Sequence, residues 1–239
     1  MYNVYKSYSK RWRNCTRQYA LDVWRNRADE KTDMRFRKQA DLFSREYRNS
    51  LEQHYKRIGL NVYRGTISGK VDEWKNRQLA IQETIKSMAT DRKSQLVADE
   101  IKRIESDETI DLQESINKVY ALKKDENVYK VFSFAEHFEG AADRIGDDEA
   151  FALGRDINEA AIKESSDRYF WRVQQDNRVR KTHLMLADKC FLWSDPPTTI
   201  DRYGRSFTGN PGMDYGCRCW AEPAPVRTKA KLNYVVKEK

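Results

Sequence analysis

No stretch of this sequence approaches the roughly 20 consecutive apolar residues that cross a bilayer, so a membrane-spanning helix is not expected. The opening residues, Met1-Tyr-Asn-Val-Tyr-Lys-Ser, lack the apolar centre of a secretory signal. The expectation is therefore a product that stays in the cytoplasm where it is made. Proline is scarce, five in 239 residues, which leaves room for long uninterrupted helices. Cysteine is scarce too, at four, and a cytoplasmic chain rarely builds on disulfides. Three of the four, Cys190, Cys217 and Cys219, lie within thirty residues of one another, close to His183. That clustering points to a metal or to packing instead of a disulfide framework. Internal repeats and low-complexity tracts are absent as well.

Charge is abundant: 34% of residues are charged against 39% hydrophobic, with a formal net charge of +8. The length allows one or two domains with a real core. The charge is segregated. Residues 1–60 carry about 15 basic and 7 acidic side chains, residues 61–170 about 17 and 23, and residues 171–239 about 13 and 7. A basic–acidic–basic chain can meet DNA phosphates or an acidic protein ring through its ends. The same charges also suit a solvated helix surface with no partner.

Periodicity predicts a mainly α fold. Phe36, Ala40, Phe43, Tyr47, Leu51, Tyr55 and Ile58 recur at spacings of three and four, one apolar face of a helix, and Gly59 marks its end. An earlier helix spans about 5–27 with Trp12, Tyr19, Val23 and Trp24. The segment from Arg64 to Lys70 contains turn residues and predicts a loop or short hairpin. Helix resumes with Trp74, Ile81, Ile85 and Met88 and continues through Val97, Ile101 and Ile104 to a break at Ser106. Ile116, Val119 and Tyr120 predict a short helix, and Val128–Phe134 a short strand. Glu136–Ala142 and Asp147–Asp167 read as two helices, the second with Asp147, Asp148 and Glu149 in its first turn. After Ser166 the texture changes. Tyr169–Val173 alternates as a strand, Asp176–Leu186 reads as a helix capped by Asp176, and long loops rich in proline and glycine follow. The expected organisation is a basic helical region (1–60), an acidic helical region (61–165), a small α+β module with long loops (166–226) and a loosely held basic tail (227–239).

The order of residues in that last module is distinctive. Tyr169-Phe-Trp-Arg-Val leads into Asp176-Asn-Arg-Val-Arg180 and His183. Ala187-Asp-Lys-Cys-Phe-Leu-Trp193 and Ser-Asp-Pro-Pro197 follow, and Pro211-Gly-Met-Asp-Tyr-Gly-Cys-Arg-Cys-Trp-Ala-Glu-Pro223 closes the set. This resembles the Mu F-like minor head protein family of tailed bacteriophages. The family pattern runs roughly W-x-x-x-x-D-x-R-V-R-x-x-H, then D-G-K-x-F, then P-G-x-D-x-x-C-R-C. The resemblance covers about a quarter of the chain and rests on Trp171, Asp176, Arg178, Arg180, His183, Asp188, Pro211, Cys217, Arg218 and Cys219. Two departures stand out: Asp188 is followed by Lys189 instead of glycine, and the loop between Pro197 and Pro211 is long. The resemblance implies a structural protein of head morphogenesis, not an enzyme. Its implied partners are the portal, other head proteins and packaged double-stranded DNA, first in the host cytoplasm and then in the virion.

The same residues carry chemistry of their own. His183, Cys190, Cys217 and Cys219 are the donor types of a structural zinc shell, and a loop-rich module with little core gains from a metal. The plainer alternative is a set of buried small side chains with His183 hydrogen-bonded to Asp176 or a backbone carbonyl. Asp176, Arg180 and His183 share a helix face and could form a nuclease or other nucleic-acid processing site; alternatively, Asp176 simply caps the helix and pairs with Arg180. His54 and His137 stand alone and read as ordinary helix residues. At the N-terminus Tyr2, Tyr5, Tyr8, Trp12 and Tyr19 mingle with Lys6, Lys10, Arg11 and Arg13. That mixture suits protein interfaces, DNA contact without any assembly role, or plain helix packing.

Overall fold

The structure, a computed structural model, describes residues 2–25, 27–60, 62–106, 111, 113–117, 119, 136–174, 179–214 and 216–238. The expected strand at Val128–Phe134, the end of the short helix at Tyr120, the side chains of Tyr2, Tyr5 and His137, and both Asp176 and Arg178 lie outside the described residues. The fold is mainly α. Four long helices, α1 (Tyr2–Trp24), α2 (Glu30–Arg57), α3 (Arg64–Ser106) and α4 (Glu136–Lys163), precede a small module. That module contains β1 (Arg168–Arg172), a single-turn helix α5 (Lys181–Leu184), β2 (Cys190–Leu192), β3 (Thr198–Ile200), β4 (Ser206–Thr208), β5 (Trp220–Pro223) and β6 (Val235–Lys237). The chain divides into two compact units. One comprises residues 1–9, 44–74 and 148–239, the other 10–43 and 75–147.

In the second unit, Trp12 packs on Phe36 and Phe43, and Tyr19 on Phe36, with ring centroids 4.6–5.2 Å apart. Asp29 opens α2 by accepting the Thr32 N–H at 2.8 Å, an N-cap that satisfies one of the helix's orphan donors. Asp33, in the first turn of α2, accepts the Tyr19 hydroxyl and the Lys86 ammonium, each at 2.7 Å. The segment read as two helices around Asp147 is one helix. Gly146 does not interrupt it, because its missing side chain serves packing: a Cβ there would stand 2.6 Å from the Arg13 Cα in α1. Asp147 accordingly sits within α4, not in a first turn, and pairs with Arg13 at 3.3 Å, while Asp143 pairs with Arg17.

In the first unit, α2 closes as expected. Gly59 adopts φ +75°, and the Leu60 N–H donates to the Tyr55 carbonyl at 2.9 Å, a Schellman end. The Arg64–Lys70 segment is not a loop. It is the first two turns of α3, despite Gly65 and Gly69. Ile67, Val71 and Trp74 are buried at helical spacing. Burial of three such side chains outweighs the cost of about 1 kcal/mol for each helical glycine.

The module holds two small sheets. One has the order β2–β1–β5, antiparallel throughout; the other has the order β4–β3–β6, with β3 parallel to β6. The long loop after Pro197 is therefore the β3–β4 hairpin. The expected loose tail instead supplies β6, which is fastened further by the Lys231 N–H on the Cys190 carbonyl at 2.8 Å. The core gathers Ile162, Tyr169, Trp171, Leu186, Phe191, Ala221 and Val236 around the two cysteines Cys217 and Cys219. Two buried hydrogen-bonded residues tie it down. Asn158 of α4 donates to the Ala221 carbonyl at 2.8 Å and accepts the Tyr55 hydroxyl at 3.2 Å. Asn210 accepts the Tyr169 hydroxyl at 3.0 Å.

Candidate metal centre

Strand alternation places the site. Tyr169 pairs with Phe191 and Trp171 with Ala221 across β1, so these four side chains share one face of the sheet. Cys219 and Cys217 precede β5 at intervals of two and enter the same core. The single turn of α5 carries His183 into it from the loop side. The helix begins at Lys181, later than the predicted Asp176, and Arg180 occupies its N-cap without a side-chain cap bond.

His183, Cys217 and Cys219 come together. All three are buried, at 2%, 8% and 7% exposure, and one ligating atom from each lies within 4.8 Å of the others. The Cys217 sulfur is 3.3 Å from His183 Nδ1 and the Cys219 sulfur 3.5 Å from it. The Cys219 N–H donates to the Cys217 sulfur at 3.5 Å. Trp171 meets the imidazole edge-on, 5.5 Å between centroids. A buried group of one imidazole and two thiols at these separations can hold a metal ion.

Cys190 does not join them, so a set of four ligands is corrected to three. Its register partner is Phe170, which places it on the sheet face opposite Tyr169, Trp171 and Phe191. Sequence spacing could not show this, because a shift of one residue along a strand reverses the face. Burial raises the Cys190 thiol pKa, as befits a packed cysteine.

The two remaining thiols polarise each other. A hydrogen bond from the Cys219 thiol, aided against burial by His183 and the Cys219 N–H, holds Cys217 far below its usual pKa. Its bond to the Cys217 sulfur, burial and the neighbouring charge push Cys219 far above its own. The pair thus gives up one proton readily and the second reluctantly.

The other face of the imidazole meets a residue that sequence reasoning had not singled out. His183 Nε2 lies 3.5 Å from an Asp214 carboxylate oxygen, and that same oxygen accepts Arg180 at 2.5 Å. Asp214 thus stands where Asp176 was expected, beside the histidine and paired with Arg180. The signal was present as the aspartate of Pro211-Gly-Met-Asp214, but the pairing spans more than thirty residues and has no periodic signature. Pro211 is buried beside Gly212, whose φ of +85° turns the chain back toward Cys219. Asp188 forms an ion pair with Arg172, and Arg218 lines a cleft over the cysteines.

The N-terminal contact residues separate. Lys6, Lys10 and Arg11 are exposed and Arg13 is half-buried, but Trp12 is 1% exposed within the helical core and unavailable for stacking on a base. Tyr8 stacks on Tyr47 with centroids 4.4 Å apart, and Tyr19 is buried. For these three aromatics, helix packing is what is observed. His54 is a half-buried residue of α2, as read. Comparisons with family models, with curated proteins and with solved structures returned no significant match.

Proposed function

We propose that this chain is a minor head protein of a tailed bacteriophage, acting in head morphogenesis beside the portal, and that a structural zinc ion on His183, Cys217 and Cys219 locks its C-terminal module. One observation supports this best. Trp171, His183, Cys217 and Cys219 come from separate segments of the Mu F-like pattern and converge in a single buried core. Four of the residues that carry the resemblance are thus buried together in the module. A departure from the pattern also narrows. Asp188 itself adopts φ +60°, a conformation that glycine favours and aspartate tolerates. Placing Asp188 at the pattern's glycine instead of its aspartate brings Lys189 and Phe191 into line with D-G-K-x-F and moves the departure to Ala187, which stands at the aspartate.

Zinc suits the donor set: two thiolates and an imidazole are its usual soft ligands. The exposed cations Lys6, Lys10 and Arg11 of α1 suit an acidic head protein or packaged DNA. Deleting the gene and imaging the particles tests the assembly role. The expected outcome is defective or absent filled heads; normal infectious particles would defeat it. Metal analysis of the purified chain tests the zinc separately, with about one ion per chain expected from a single mononuclear site, lost in Cys217→Ser.

A further inference from the structure

We infer that the metal centre is a three-ligand site whose fourth coordination position opens into a cleft and takes a water molecule or small anion from solution. This rests on the zinc reading and goes beyond a closed structural shell.

Three observations carry it. Among the described residues only His183, Cys217 and Cys219 bring ligating atoms together, and Cys190, the obvious fourth, faces the other side of the sheet. The same three residues line a cleft of about 200 Å³ with Arg180, Gly216 and Arg218. A water molecule takes about 30 Å³ of liquid volume, so the cleft has room for several. In its lining, Gly216 adopts φ +61°, and no described residue comes within 4 Å of where a Cβ would stand.

The charge balance favours an anion. Two thiolates cancel a divalent cation, and a neutral imidazole adds nothing, so the centre itself is neutral. Arg180, whose charge Asp214 already balances, and Arg218 line the cleft. A third thiolate in the fourth position would make the centre negative and oppose any such ligand. Both sulfurs lie on the Nδ1 side of His183, and Asp214, held by Arg180, stands 3.5 Å from Nε2, so a metal bound at Nδ1 would leave the opposite ring nitrogen facing a carboxylate.

The test uses the full chain loaded with Co²⁺ in place of Zn²⁺, whose absorption reports coordination. The expected result is thiolate-to-cobalt charge-transfer bands at one ion per chain, visible-band shifts that saturate as azide is added, and reversal of those shifts by inorganic phosphate. Cys190→Ala should leave every band unchanged, whereas Cys217→Ser should remove them. Asp214→Asn should lower metal affinity roughly 10–100-fold without changing the bands. A cobalt spectrum indifferent to azide, or one altered by Cys190→Ala, overturns the open position while leaving zinc binding intact. Failure to bind either metal overturns both readings.

Discussion

At the scale of single residues, stability in this protein rests on a few polar groups with assigned partners. Asn158 is 2% exposed and satisfies both the Ala221 carbonyl and the Tyr55 hydroxyl. Asn158→Leu would bury both partners unpaired, and a loss of about 2–4 kcal/mol is expected in urea unfolding. Asp33 supplies a pH dependence. Burial works to raise its pKa, but the bonds from Lys86 and Tyr19 win, and the carboxyl lies below its usual range. A carboxyl lowered by folding stabilises the native state above its unfolded pKa of about 4 and loses that contribution as pH falls through its folded value. Wild type should therefore exceed Asp33→Asn by about 1–2 kcal/mol near pH 6, and thermal melts should converge near pH 2. At Asp188 the backbone sets the outcome. Asp188→Gly should change stability by less than about 1 kcal/mol, strain relief offsetting the lost Arg172 pair. Asp188→Val should cost about 1–2 kcal/mol, since a β-branched residue resists positive φ.

At the scale of elements, glycine shows how far the sequence could be read. Gly59 was legible because it follows a clear apolar stripe and ends it with a left-handed turn. Gly65 and Gly69 misled, because two glycines among threonine and serine hide the stripe of Ile67, Val71 and Trp74, whose burial decides the local structure. Gly146 misled in the same direction but for another reason, since its close approach to Arg13 leaves no mark in local sequence. The two cases predict opposite results. Gly69→Ala, with open space around its Cβ, should stabilise by about 0.5–1 kcal/mol. Gly146→Ala should destabilise by about 1–3 kcal/mol despite its better helix propensity, as differential scanning calorimetry can check. The β3–β4 hairpin and β6 were illegible for another reason: strands of three residues are too short for alternation to register. In the candidate site, residue types and order were legible, whereas the exclusion of Cys190 and the inclusion of Asp214 depend on strand register and long-range pairing.

At the scale of the whole molecule, helix dominates the secondary structure, while the candidate metal centre lies among short strands and turns. Chelation should therefore lower the thermal midpoint and flatten the near-ultraviolet signal of Trp171 while the far-ultraviolet helical signal largely persists. A collapse of helical signal on chelation would instead mean that the metal supports more than its own module. The compact units are also discontinuous: each of the four long helices contributes residues to both.

Discontinuity has a consequence for inheritance. Asn158 recognises a carbonyl sixty-odd residues downstream and a tyrosine a hundred upstream, and Leu60 packs against the module core. A crossover that exchanged only the gene segment after Ser166 would import a module whose seat was shaped by another lineage. The C-terminal third should therefore travel with residues 44–74 and 148–165, and hybrids that respect that grouping should express as soluble protein where simple end-swaps do not.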